Sequence, residues 1–456
     1  MPPPAAGARV RYHARWVVPV ATPPVERGTV VVEDDRIAWV GPTAHAPAGG
    51  RDEDLGDSIL TPGLVNAHTH LDLTVMRGFL EDLPFFDWIR ALTRARNDVL
   101  SESDLRDSAM LGIAEGLLAG VTTFGDTAAS SGPFDAMREM GVRGIAYREV
   151  FGPDPAECSV SMEGLKSHVA AMRATATPLV RVGVSPHAPY SVSDALFAAV
   201  ADYAARESLP VAVHVAESAE EGALVEQGSG RFADFLRSRS IAVAPRAATP
   251  MALLGAAGLL RAGTLLIHCV HASADDIHAV SNGGCGVAHC PASNAKLGHG
   301  IAPLAEFIAA GARVGLGSDS MASNNQMDIL GEARLALLLQ RSRPGRGAAL
   351  SARAALRLAT LGGAEALRLD ADIGALAVGK QADMAAFAID ATHGPVTEPM
   401  TSLVFAPGLV RAHRVIVAGI ERVRDGAVMG FEPAIATRVA QTSSRLLQWR
   451  SSRTDR

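Results

Sequence analysis

The sequence predicts an α/β fold, a (β/α)8 barrel of the TIM type carrying a small β-sandwich domain built from both chain ends. Three observations predict it. The middle of the chain alternates short apolar β-rich runs with Ala/Leu/Arg-rich helical stretches, which is the pattern of parallel strands joined by helical crossovers. The two ends share a different texture of short strands and turns. Finally, His68, His70, His187, His214, Glu217, His268 and Asp319 each follow an apolar run, and barrel strands deliver side chains at their C-terminal ends to one pocket.

From Arg9 to about Thr61 the chain reads as short strands at 16–20, 28–33 and 36–41, with Asp34-Asp35 as a hairpin turn. The same texture returns at 382–388 and 414–419, so the two ends are expected to pair. Between them, a strand ahead of His68 is followed by runs at 120–124, 143–147, 180–184, 210–213, 264–267, 286–288 and 313–316. That makes eight strands, the barrel count. Residues 104–118 and 194–206 read as helices, and 239–260 as a loop with a short helix. The expected division is a composite β-domain from 1–61 and 369–430, a barrel from 62–368, and an Arg-rich helical tail from 431–456. No internal repeat is visible.

Composition narrows the function. The 456 residues fit a barrel plus a smaller domain, and 48% hydrophobic content supports a large core. A net charge of −6 argues against a general binder of phosphate backbones, so no nucleic-acid partner is expected. The cysteines Cys158, Cys269, Cys285 and Cys290 form no close-spaced metal motif and read as free thiols in a reducing compartment. Met1-Pro2-Pro3-Pro4 lacks the basic and apolar blocks of a signal peptide. No apolar run reaches the roughly 18 residues of a membrane span. A cytoplasmic protein acting on a small molecule is expected, with no membrane partner.

The chemistry follows from the strand ends. His68 and His70 are two apart and face one side of an extended strand. Two neutral imidazoles make half a site for Zn²⁺, with Fe²⁺ as the alternative, and His214 and Asp319 can complete it. Such a cation lowers the pKa of bound water, making a nucleophile near neutral pH. Glu217, three residues beyond His214, is placed to move a proton without binding the metal. His268 is expected beside the water or the developing oxyanion. His271 has left the strand end and is the weaker choice, while His289 reads as structural or supporting.

The segments Pro62-Gly63-Leu64-Val65-Asn66-Ala67-His68-Thr69-His70, Met76-Arg77-Gly78, 83–88, Ser185-Pro186-His187, His268-Cys269-Val270-His271, 290–298 and 317–325 together resemble the amidohydrolase superfamily. The resemblance covers roughly residues 10–430. It points to the deaminase and chlorohydrolase branch, which includes S-adenosylhomocysteine/methylthioadenosine deaminases, aminofutalosine deaminases, guanine deaminases and triazine hydrolases. It implies one divalent metal on His68, His70, His214 and Asp319. Glu217 would protonate a ring nitrogen, Asp319 would accept the water proton, His268 would orient the hydroxide, and His187 would contact substrate. Binuclear relatives carry a carboxylated Lys after strand four, and residues 178–191 contain no lysine.

The implied reaction is deamination of an adenine-type nucleoside (aminofutalosine, S-adenosylhomocysteine, methylthioadenosine or adenosine-like). The alternative is a guanine or other-base deaminase, or a triazine-type hydrolase. Arg148 would meet a substrate carboxylate or else pair with a helix carboxylate. Asn97 stands where relatives often carry a ribose-gripping Glu. Trp88 and Arg77 are split between pocket lining and packing. A dimer or larger homo-oligomer is implied by the resemblance alone.

Overall fold

The computed structural model describes residues 9–343, 350–389, 395–405 and 411–454. Residues 1–4 and the last two residues of the Arg-rich tail lie outside them.

The N-terminal strands are β1 (Arg9–Val17), β2 (Val25–Glu33), β3 (Arg36–Pro42), β4 (Arg51–Asp54) and β5 (Ser58–Pro62). The barrel strands are β6 (Leu64–His70), β7 (Val121–Ala128), β8 (Arg143–Val150), β9 (Val180–Pro186), β10 (Val211–Val215), β11 (Thr264–His268), β12 (Gly286–His289) and β13 (Arg313–Leu316). They continue into the short β14 (Asp319–Ser320). Near the C-terminus follow β15 (Met384–Ala388), β16 (Ala412–Val417), β17 (Ile420–Arg424) and β18 (Ala427–Val428).

One sheet runs β13-β12-β11-β10-β9-β8-β7-β6-β14. Its pairings are parallel, and the β14–β6 pairing closes the ring. Parallel strands covered on both faces need near-continuous apolar runs, and β10 and β11 are buried at every position. Alternate residues divide two cores. Val65, Ala67, Ile145, Tyr147, Ala212 and Leu265 fill the barrel interior, while Leu64, Val211, Val213 and Leu266 meet the surrounding helices. The Tyr147 ring crosses the interior against Gly183, where a Cβ would lie 2.5 Å from the ring and 2.8 Å from Pro210 O.

The second sheet runs β18-β17-β16-β15-β5-β1-β2-β3, with β4 paired to β1. β15 from one end of the chain pairs antiparallel with β5 from the other, so the two ends build one small domain. Asp34-Asp35 forms the turn between β2 and β3, with Asp34 at φ 55°. The first strand differs from expectation: it starts at Arg9 and ends at Val17 rather than spanning 16–20. Its outward Arg9, Arg11, His13 and Arg15 hid the inward Tyr12 and Ala14, which are buried. Pro19 lacks the N–H that a ladder needs.

A buried bidentate pair, Arg143 Nε to Asp383 Oδ2 at 2.7 Å and Nη2 to Oδ1 at 3.0 Å, joins the start of β8 to the residue before β15. Helices α1 (Phe85–Val99) and α2 (Glu102–Leu118) follow β6. Ser101 starts α2 with a capping box to Asp104. The tail helix α3 (Pro433–Thr454) lies across both, held by Arg438–Asp107, Arg445–Asp104 and Trp449 Nε1 to Asp98 at 3.0 Å. No helix among the described residues is long and apolar enough to cross a membrane.

Candidate metal centre and active site

The closing β14–β6 pair sets Asp319 opposite Thr69 and Ser320 opposite His70, so Asp319 sits beside both histidines of β6. Asp319 Oδ1 lies 3.2 Å from His68 Nε2 and 3.6 Å from His70 Nε2. Its other oxygen, Oδ2, accepts from Ser293 Oγ at 2.6 Å and Ser323 Oγ at 2.8 Å. Those hydroxyls hold the carboxylate with Oδ1 inward. Asn66 clamps the junction, donating to Ser318 Oγ at 2.7 Å and accepting from Ser318 N at 2.9 Å.

His214, on β10, completes the cluster. His70 Nε2 and His214 Nε2 are 3.2 Å apart, and the donor atoms of His68, His70 and His214 lie within 4.8 Å of one another. His214 Nδ1 is 3.1 Å from His187 O. Only an N–H can bond a carbonyl oxygen, so Nδ1 carries the hydrogen and the Nε2 lone pair faces the centre. Burial holds His68 down at about 4 and His214 well below the ordinary value, which keeps both rings in the neutral, ligating form. His70 behaves differently: burial would lower it, but Glu149, Asp319, Asp126 and Asp72 hold it above its ordinary value. Burial would also raise Asp319, yet His68 and its neighbours pull it well down. Inward lone pairs beside an ionised carboxylate make a donor set that fits one divalent cation.

Glu217 is buried at the next station. Its Oε1 lies 3.5 Å from His268 Nε2 and 3.3 Å from His299 Nε2. Burial would raise its pKa, but those two imidazoles outweigh burial and hold it below the ordinary value. His268 is oriented through Nδ1, 2.9 Å from Asn294 Oδ1, so its Nε2 points at Glu217. The loop behind Glu217 is fixed by Glu221, whose oxygens accept from Ala216 N at 2.7 Å and Glu217 N at 3.1 Å. Burial pushes Glu221 up to about 8, against the pull of those N–H groups. Ala216, His268, Cys269 and Asp319 all have positive φ, between 51° and 71°. Strain of about 1–3 kcal/mol at such residues persists where surrounding structure enforces it, and it gathers at functional sites.

These groups form the floor of a cavity of about 740 Å³. Phe85, Trp88, Tyr190 and Phe232 wall it, and Asn97 and Arg96 lie toward its mouth on α1. His187 lines it too, with Nδ1 2.7 Å from Ser191 Oγ. The structure thus brings together His68, His70, His187, His214, Glu217, His268 and Asp319, with Trp88 and Asn97 on the wall.

Two expected contacts do not reach the cavity. Arg148 is outside its lining. On β8 the inward positions are Ile145, Tyr147 and Glu149, so period-two alternation turns Arg148 toward the helices and leaves Glu149 in the cavity. Arg77 ends the turn after β6, pairs with Glu115 of α2 and lies against Met321 Sδ.

Sequence reasoning missed His299, Asn294, Glu221 and the two serines on Asp319. The matched segment 290–298 stops one residue short of His299, so no spacing rule marked it. Ser293 and Asn294 lay inside that segment, but their partners are 26 residues away.

The chain matches the amidohydrolase family over residues 59–420. A 5-methylthioadenosine/S-adenosylhomocysteine deaminase of Desulforudis audaxviator is 34% identical over 444 residues, covering 96% of this chain and 99% of that protein. The crystal structure of an adenosine deaminase from Xanthomonas campestris with bound zinc superposes with a TM-score of 0.85 at 28% identity, covering 97% of this chain and 99% of that one. Atrazine chlorohydrolase from Arthrobacter aurescens TC1, complexed with zinc, gives 0.82 at 26% identity over 96% and 100% of the two chains. A parallel barrel with ligating side chains at its strand ends, matched across most of its length, places the chain in a family: it belongs to the amidohydrolases.

Proposed function

We propose that the protein is a divalent-metal-dependent aminohydrolase that replaces the exocyclic amine of an adenine-type nucleoside with oxygen and releases ammonia. The observation that carries this reading is a buried carboxylate, Glu217, set between His268 and His299 at the edge of the His68, His70, His214 and Asp319 cluster. The similar proteins named as nucleoside deaminases support the substrate class. When bound, the cation supplies Lewis acidity that makes water a nucleophile near neutral pH; Zn²⁺ is the proposed ion, with Fe²⁺ as the alternative. Glu217, a carboxylate in the resting site, takes one proton of the attacking water and delivers it to the ring nitrogen next to the reacting carbon, and Asp319 takes the other and passes it to the departing amine. His268 orients the attacking oxygen. His187 touches the base, while Trp88 and Asn97 meet the rest of the nucleoside. Water adds to the amine-bearing carbon, and the tetrahedral adduct expels ammonia.

Arg148 is not among the residues that line the cavity, whereas Arg96 and Arg239 are, so those two are placed to meet any substrate carboxylate. The proposal includes a homodimer or larger assembly, tested by light scattering on the eluting peak. The reaction itself is tested by ammonia release from metal-replete protein on aminofutalosine, S-adenosylhomocysteine, methylthioadenosine, adenosine, adenine, guanine and melamine. Turnover of one or more adenine nucleosides is the expected result. Silence on all of them with a response to guanine or melamine would overturn the nucleoside reading in favour of a base or triazine hydrolase.

A further inference from the structure

A second cavity, of about 400 Å³, opens at the opposite end of the barrel, between the starts of β9, β10 and β11 and the segment 366–368. Barrel chemistry sits at the C-terminal strand ends, so the reaction leaves this cavity unused. The guanidinium-bearing Arg181, Arg261 and Arg368 line it, and no aspartate or glutamate is among its lining residues. On β9, Val180, Val182 and Val184 pack outward against the helices while Gly183 meets the Tyr147 ring, so period-two alternation turns Arg181 inward. Its ionic neighbour Asp372 lies 3.8 Å away, outside the lining. Arg261 donates Nη2 to Ala201 O at 3.0 Å, and Arg368 donates Nη2 to Gly284 O at 3.0 Å. Each guanidinium carries five N–H donors, so both forks keep donors for a ligand. Arg368 adopts a φ of 55° just past the helix Gly363–Ala366, a position that usually falls to Gly. Tyr147 also lines the cavity; it is 2% exposed, and its hydroxyl has no hydrogen-bond partner among the described residues. A buried hydroxyl without a partner is costly, and an anionic oxygen would accept from it.

We propose that this cavity binds a small organic anion, its charged oxygens on Arg181, Arg261, Arg368 and Tyr147 and its apolar body against Ile145, Leu209 and Leu367. Arginine forks match the oxygens of a carboxylate or phosphate in two-point contact. A concave apolar wall with a few converging polar groups is the build of a small-molecule site. The occupant joins the inner faces of β8 and β9 to the segment 366–368 that lies across this end of the barrel. An anion that binds only the native state therefore stabilises the barrel.

The test reads binding rather than turnover. Metal-replete protein is titrated calorimetrically at constant ionic strength with benzoate, acetate, phenyl phosphate and inorganic phosphate. Wild type is compared with Arg181→Gln, with Tyr147→Phe and, as a control in the catalytic cavity, with Arg239→Gln. The expected result is saturable binding of benzoate or phenyl phosphate, tighter than that of acetate or inorganic phosphate. It should weaken about 10- to 100-fold in Arg181→Gln, the worth of one charged hydrogen bond, weaken less in Tyr147→Phe and stay unchanged in Arg239→Gln. The tighter of the two aromatic acids identifies the preferred head group. The Arg181 side chain is 51% exposed, so its Gln variant should fold. No binding to wild type overturns the proposal, as does affinity unchanged in both Arg181→Gln and Tyr147→Phe. Equal affinity with and without the ring overturns the organic assignment. Loss in Arg239→Gln alone assigns the anion to the catalytic cavity and overturns the proposal too.

Discussion

At Asp319 the two carboxylate oxygens do different work. Oδ2 is held by Ser293 and Ser323 while Oδ1 faces the histidines. Asp319→Asn replaces an oxygen by an NH₂ that can only donate, so it should lower both metal content and turnover. Full metal occupancy with a normal rate would refute the assignment. Glu217 contacts imidazoles rather than sitting among the metal-ligating group. Glu217→Gln should therefore keep its metal by elemental analysis and lose about 100- to 10,000-fold in kcat, the usual worth of a positioned acid–base group. His68, His70, His187, His214, Glu217, His268 and Asp319 could be read from the sequence because each stands at or just past the end of an apolar run. His299 could not, because it sits in a loop and its position beside Glu217 depends on how that loop returns over the barrel.

At the scale of elements, strand alternation decides which arginine can serve the substrate. β8 turns Glu149 inward and Arg148 outward, so Arg148→Met should leave KM for the preferred nucleoside unchanged in steady-state assays. A large rise in KM would restore Arg148 as a substrate contact. Helix α1 supplies much of the cavity wall, including Trp88 and Asn97, and α3 braces it through Trp449 on Asp98, with the Trp449 ring also against Phe79 ahead of the helix. Trp449→Ala removes that brace. It should cost about 1–2 kcal/mol in urea unfolding, as expected for partial loss of an aromatic contact, and raise KM more than it lowers kcat. The helices and strands themselves were legible, since 3.6- and 2-residue patterns are local. The first strand was misplaced because its charged outward face masked its buried one, and β4, β5 and β17 were not read as strands.

At the scale of the molecule, the Arg143–Asp383 pair couples the barrel to the small domain and is buried on both sides, with side-chain exposures of 6% and 1%. Asp383 also accepts from Ala418 N at 2.8 Å. Arg143→Met leaves that carboxylate buried without its cation, which should cost about 3–5 kcal/mol in urea unfolding. A loss within error of zero would show that the pair is dispensable. The cation is a stabiliser of the same molecule: a ligand that binds only the native state raises apparent stability with its concentration. Chelator-stripped protein should therefore melt at a lower temperature and recover on adding Zn²⁺.

The sequence alone determined the fold class, the pairing of the two chain ends and a set of side chains that cluster at the strand ends. Those are properties of apolar periodicity, of strand count and of residues that sit directly at strand ends. Only the tertiary structure decided which of the remaining residues share that pocket. It closed the ring by pairing β14 with β6, which put Asp319 beside His68 and His70. It brought His299 to Glu217 and Asn294 to His268, and it left Arg148 and Arg77 out of the cavity lining. These outcomes depend on contacts between segments far apart in the chain, and no local pattern encodes which distant segment will arrive.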